Sequence, residues 1–226
     1  RFFLVLADHL TRQGVAVLRA DDRGVGGSTG STMQSTTSDF AGDALAGIRF
    51  LRGRDEIAPD RIGLVGHSEG GIVAPLAASR APDDVAFVVM MAGTGVPLGE
   101  VIVHQVELMA GALGAEPEVV AAEVAKSRLL VDLTLAGEDS ATVRERFAAL
   151  VREQAATLPD SVDRSDEAVA TEVDAALAGF TTPWMRYALS LDPRDALREV
   201  ACPVLAINGE RDLQVDPDQN LPEIEA

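Results

Sequence analysis

The chain has 226 residues, 47% hydrophobic and 4% aromatic, with 19 basic against 36 acidic side chains and a formal charge of −17. That balance repels phosphate backbones and anionic headgroups, which excludes nucleic acid and membrane surfaces as expected partners. No apolar run approaches the roughly 20 residues that span a bilayer, so membrane insertion is not expected either. Cys202 is the one cysteine, so neither an intrachain disulfide nor a cysteine-based metal site is expected. His9, His67 and His104 lie too far apart in sequence to read as a ligand cluster. No metal or cofactor is therefore expected. The lone cysteine fits either side of a membrane, with the cytoplasm slightly favoured. The chain opens at Arg1 without a methionine and stops at Ala226 where a helix starts to read, so it is expected to be a fragment shortened at both ends.

In chain order, Phe3, Leu6, Ala7 and Leu10 recur at helical spacing and Gly14 closes that helix. Val15-Ala16-Val17-Leu18 reads as a buried strand leading into a glycine-rich turn, Arg19-Ala20-Asp21-Asp22-Arg23-Gly24-Val25-Gly26-Gly27-Ser28. Ser38 or Asp39 is expected to cap a second helix carrying Phe40, Ala44, Ile48 and Leu51 on one face. Arg61 to Val65 and Val85 to Met91 read as strands, with a small-residue helix between them from Gly71 to about Arg80 that contains Pro75. Strands apolar on both faces, alternating with helices, predict a parallel sheet covered on both sides.

From about Gly95 to Asp195 strand signals vanish, and helices are predicted near 99–113, 117–135, 140–157 and 165–179. Thr182-Pro183 then caps a helix through Trp184 and Tyr187, and strand character returns at Pro203 to Ile207. An unstructured loop of that length is improbable. The expected organisation is a core from 1–94, a helical lid from 95–195 and a second core segment from 196–226.

Gly66-His67-Ser68-Glu69-Gly70 matches the G-x-S-x-G turn between a strand and a helix. The turn is so tight that the residues two before and two after the serine, Gly66 and Gly70, are expected to lack side chains for steric reasons. Ser68 would stand exposed above the strand, and the amide of Glu69 would donate to an oxyanion at the helix N-terminus. A serine nucleophile needs a histidine base oriented by a carboxylate. Asp212, after the late strand, is the candidate acid, with Glu210, Asp216 and Asp218 as alternatives. None of the three histidines follows Asp212. His67 reads as a side chain packed near the turn, His104 as a surface or lid residue, and His9 as turned from the site.

The segments Val15 to Ser28, Arg61 to Gly71 and Cys202 to Val215, with Pro183 to Tyr187 and Leu191-Asp192-Pro193, resemble bacterial α/β-hydrolases. These are serine esterases related to dienelactone hydrolases and serine aminopeptidases. The resemblance implies an α/β-hydrolase fold, a mostly parallel sheet flanked by helices with a helical lid insertion. It also implies Ser68 as nucleophile, Asp212 as acid and a catalytic histidine beyond Ala226. A small-molecule ester is the expected substrate, cleaved through an acyl-enzyme. His67, Trp184, Met185 and Tyr187 are the candidate pocket residues, with packing of the lid on the core as the alternative role for the last three. Amide or thioester cleavage by the same triad, and a non-catalytic binding module on this scaffold, are the alternative functions.

Overall fold

The computed structural model describes residues 2–156, 163 and 165–226. Three short parallel strands, β1 (Leu64–His67), β2 (Val88–Met91) and β3 (Val204–Ile207), form one sheet in the order β1-β2-β3. Leu64 pairs with Val88 and Val88 with Val204, while His67 pairs with Met91 and Met91 with Ile207, so the three carboxyl ends finish level. Around the sheet lie α1 (Phe2–Arg12), α2 (Thr37–Arg52), α3 (Gly70–Arg80), α9 (Pro193–Arg198) and α10 (Pro217–Glu225). A helical layer, α4 (Leu98–Ala112), α5 (Pro117–Leu135), α6 (Ser140–Ala155), α7 (Asp166–Phe180) and α8 (Pro183–Ser190), is inserted between β2 and α9.

The sheet is parallel and flanked by helices, but its two faces are covered unequally. Side chains alternate across a strand, so Val88 and Met90 share a face; both are buried together with Ile48 of α2 and Ala74 and Ala78 of α3. Leu197 of α9 and Ile224 of α10 pack on the same cluster. The opposite face carries Val65, Leu205 and Ile207, each about half exposed. Coverage of both faces, expected from the apolar runs, is therefore met on one face only among the described residues. Pro75, unexplained by its sequence context, is fully buried on α3.

Val15 to Leu18 forms no strand, contrary to its apolar pattern, and Val15, Val17 and Leu18 remain exposed. A strand requires a neighbour to accept and donate its backbone hydrogen bonds, and no described strand lies alongside. The preceding helix does end at Gly14, whose φ of +84° is the left-handed closure that glycine makes without strain. The α2 cap is Thr36 rather than Ser38 or Asp39. Its hydroxyl accepts from the Asp39 amide while the Asp39 carboxylate accepts from the Thr36 amide. Asp39 is therefore the third helical residue of a capping box. These bonds, led by the Thr36 side chain, hold the Asp39 carboxyl below its ordinary pKa.

The helices of the inserted layer fall within two residues of their predicted bounds, save that residue 157 lies outside the described residues. Leu130, Leu133, Val143, Phe147, Val173 and Leu177 form a buried cluster shared by α5, α6 and α7 and separate from the sheet core. The sole lysine, Lys126, joins α5 to α7 through Glu172 at 2.6 Å and also meets Glu123 at 2.6 Å. Burial opposes its charge, yet the two carboxylates outweigh burial and raise the ammonium's pKa. Two long-range bonds then tie α10 to the β2–α4 side. The buried Gly95 amide donates to Asn220 Oδ1 at 2.9 Å, and His104 Nε2 of α4 lies 2.9 Å from Asp216 Oδ2, the cap of α10.

Candidate active site

Ser68 follows the last residue of β1, and its amide donates to the Met91 carbonyl at 3.0 Å, carrying the ladder one step past the strand. The backbone then turns sharply. Ser68 has φ 55°, the left-handed region that non-glycine residues enter at a cost of about 1–3 kcal/mol. Glu69 is already helical, and the Gly71 and Ile72 amides donate to the Ser68 and Glu69 carbonyls, each at 2.8 Å. The strain at Ser68 is held between a strand on one side and the first turn of α3 on the other, and it leaves the residue exposed at the carboxyl edge.

Space at this turn is set by a different pair of glycines from the one the motif implies. A Cβ on Gly66 would overlap the Gly70 carbonyl oxygen, so position 66 admits no side chain. A Cβ on Gly71 would stand 2.5 Å from Gly93 Cα, where α3 crosses the end of β2. Gly70 has nothing within 4 Å of its Cβ position. The steric need expected at Gly66 and Gly70 thus falls on Gly66 and Gly71.

The Glu69 amide donates to no atom among the described residues and lies at the N-terminus of α3, where partial positive charge accumulates. The Glu69 side chain is bound on two sides. Its Oε1 accepts from Thr37 Oγ1 at 2.9 Å and from Trp184 Nε1 at 2.8 Å.

Asp212 stands on the loop after β3, at the same edge as Ser68 but two strands away. At about 4.8 Å per strand this is a separation of about 10 Å across β2. The Asp212 amide donates to the Gly209 carbonyl, and its Oδ1 accepts from the amides of Gln214 (2.9 Å) and Val215 (3.1 Å). Its Oδ2 carries no hydrogen bond among the described residues. Asn208 closes the loop by donating from Nδ2 to the Val215 carbonyl at 2.6 Å. Of the other carboxylates, Glu210 is exposed, Asp216 is occupied by His104 and the α10 cap, and Asp218 lies in the first turn of α10.

No histidine of these residues bonds to Ser68. His67 packs edge-on against Phe3 of α1 at 5.8 Å between ring centres, with Phe2 at 6.4 Å. His104 has Nε2 on Asp216 and Nδ1 3.5 Å from Glu107 Oε2, so both ring nitrogens face carboxylates. His9 is exposed on α1. Among the pocket candidates, Trp184 reaches Glu69, and Met185 packs with Val103, Val131 and Leu189 inside the helical layer. Tyr187 is half-buried on α8. No group of three or more metal-ligating side chains occurs among the described residues, and no described helix is long and apolar enough to cross a membrane.

Thr37 and Asn208 were not legible as site residues. Thr37 looks like an ordinary first-turn residue, while Asn208-Gly209 after a strand does carry a turn signal.

The family described as serine aminopeptidase, S33, matches residues 1–221. The chain belongs to that family. It is accordingly a serine hydrolase of the α/β-hydrolase superfamily. Among solved structures, this S33-family chain is similar to Est1E from Butyrivibrio proteoclasticus, solved with ferulic acid bound. The two are 18% identical, the match covers 99% of this chain and 68% of that one, and the TM-score is 0.54, a likeness of fold. A hydrolase from Pseudomonas aeruginosa PA01 matches at 19% identity over 94% of this chain and 71% of its own, with a TM-score of 0.46. Among curated proteins none matches the chain.

Proposed function

We propose that the protein hydrolyses carboxylic esters through an acyl-enzyme formed on Ser68. The observation that carries this reading is the backbone at Ser68. A non-glycine residue is held at φ 55° beyond a parallel strand, exposed, with an unengaged amide directly after it. Ser68 Oγ attacks the carbonyl carbon while its proton passes to a histidine base, and the displaced electron pair gathers on the carbonyl oxygen beside the Glu69 amide. Collapse of that adduct breaks the ester C–O bond, and the alcohol leaves with the proton. Water then attacks the acyl carbon, giving its proton to the same base, and the acid departs as Ser68 is restored.

The base is assigned to a histidine outside residues 1–226, because His67 and His104 are engaged elsewhere and His9 lies exposed on α1. Asp212 is assigned as its orienting acid, supported by the unengaged Oδ2 and by its place at the edge that carries Ser68. Residues 95–195 are assigned as the lid, and Trp184, Met185, Tyr187 and His67 as pocket side chains. Trp184 has the strongest support of the four, since its indole nitrogen lies beside the elbow. No step requires a metal or cofactor.

The full-length protein should label covalently with a fluorophosphonate, and Ser68→Ala should abolish the label. A label that survives Ser68→Ala would place the nucleophile elsewhere. The family's description favours a second reading, cleavage of an aminoacyl amide by the same serine. Turnover of a short aryl ester against an aminoacyl arylamide separates the two, because both readings require Ser68 and they differ in the bond cleaved, C–O or C–N, and in the acyl group.

A further inference from the structure

We propose that the Glu69 side chain is a positioning residue, which fixes the oxyanion-donating amide by binding the elbow to α2 and to the helical layer at once. This rests on the assignment of Ser68 and the Glu69 amide above and goes beyond it, because that assignment uses only the backbone of Glu69.

Three restraints converge on this one residue. Its carbonyl accepts from the Ile72 and Val73 amides at 2.8 and 3.0 Å, which sets the peptide at the head of α3. Its Oε1 accepts from Thr37, a wholly buried first residue of α2. The same oxygen accepts from Trp184, the second residue of α8. Neither donor is loosely held. Thr37 follows the Thr36 capping box, and Trp184 follows a Thr182 cap, whose hydroxyl accepts from the Met185 amide at 3.1 Å, and Pro183 at the first helical position. What is left without a partner is the Glu69 amide itself.

A donor aimed at developing charge works through its position, and a misplacement of about 1 Å costs up to about 100-fold in rate. The backbone holds the Ser68–Glu69 peptide from within β2 and α3 only, through the Ser68 amide on the Met91 carbonyl and the Gly71 amide on the Ser68 carbonyl, and Ser68 stays in a strained conformation between them. The side-chain bonds add restraint from two elements outside this turn, α2 and α8. They also seat the carboxylate's charge between two donors, one brought from 32 residues away and one from 115. The required chemistry is an acceptor oxygen at the Oε1 position rather than a negative charge.

Full-length variants test this through the rate of fluorophosphonate labelling at Ser68 and through kcat and KM for a short aryl ester. Glu69→Ala should slow both labelling and kcat by about 10- to 100-fold while KM stays within about threefold. Glu69→Gln keeps an acceptor oxygen and should recover most of the loss, to within about threefold of the parent. Trp184→Phe, which keeps the packing volume, should slow labelling about fivefold. Combined with Glu69→Ala it should add nothing, because the two substitutions remove one link. Trp184 is the only tryptophan, so its emission should also shift in Glu69→Ala before any substrate is added.

A Glu69→Ala variant with the parent's kcat would overturn the proposal. So would Glu69→Gln as slow as Glu69→Ala, or losses that multiply in the double variant. If Glu69→Ala fails to fold, Trp184→Phe carries the test, and unchanged labelling in it refutes the link. Labelling that persists in Ser68→Ala is a separate outcome, which removes the nucleophile assignment and this proposal with it.

Discussion

The glycines around Ser68 permit a prediction that separates a sequence motif from the space it occupies. By the motif alone, alanine at position 66 and at position 70 should do equal harm. The structure distinguishes them. At Gly66 an added methyl meets the Gly70 carbonyl oxygen, a backbone atom that moves only if the elbow moves. Overpacking of this kind costs about 1–3 kcal/mol, and a rigid neighbour puts Gly66→Ala near the upper end. At Gly70 the methyl meets nothing within 4 Å, and φ lies outside the left-handed region. Gly70→Ala should then be neutral or stabilising by up to about 1 kcal/mol, through lost freedom in the unfolded chain. Gly71→Ala, 2.5 Å from Gly93 Cα, should resemble Gly66→Ala. With a urea slope of about 2 kcal/mol per molar, Gly66→Ala lowers the unfolding midpoint by about 1–1.5 M and Gly70→Ala raises it by at most about 0.5 M. Labelling of Ser68 should slow in Gly66→Ala as the strained turn is displaced. A Gly70→Ala midpoint as low as that of Gly66→Ala would refute the reasoning.

Two further outcomes are expected. Phe147→Ala removes a buried ring from the α5–α7 cluster and should cost about 3–5 kcal/mol; hydrogen exchange should rise in α5, α6 and α7 while β1 to β3 keep their protection, and equal loss in the sheet would show that the two cores are one. Arg194 holds the Asp192 carboxyl below its ordinary pKa, chiefly through the guanidinium bond. A depressed acid stabilises the fold above its unfolded value of about 3.9 and loses that contribution as pH falls through the folded value. Asp192→Asn should therefore narrow the difference in stability between pH 6 and pH 3, read from urea midpoints, and an unaltered difference would discount the pair.

What the sequence reveals depends on how local the cause is. Val88 to Met91 was legible because a strand buried in a parallel sheet must be apolar, and 117–135 because one helix face repeats every few residues. Ser68 was legible because a strand, a tight turn and a helix are contiguous. Val15 to Leu18 misled for the opposite reason, since an apolar run becomes a strand only when another strand lies beside it. The α2 cap fell on Thr36 because a capping box needs its carboxylate three residues later, and Asp39 stands there. Ser38 has no side chain suited to that reciprocal bond three residues on, where Ala41 stands. The roles of Gly71 and the Glu69 carboxylate were hidden, because each depends on a partner set by the fold: Gly93, Thr37 and Trp184.

Those remote partners also define how the helical layer sits on the sheet. Trp184 of α8 bonds to Glu69 beside Ser68, and His104 of α4 bonds to Asp216 at the end of the loop that carries Asp212. The two attachments therefore fall on opposite sides of β2, one at the β1 end of the edge and one at the β3 end. Each joins residues more than a hundred positions apart, 115 and 112 respectively. Neither is a general apolar contact that could slide; each is a directed bond at 2.8 or 2.9 Å. Helices α4 and α8 are thus the fixed posts of the layer, while α5, α6 and α7 hold to one another through Phe147 and its neighbours. Two directed side-chain bonds thus pin the layer at the carboxyl edge, beside the apolar seam of Val101 and Val215, while α5, α6 and α7 rest on a core of their own.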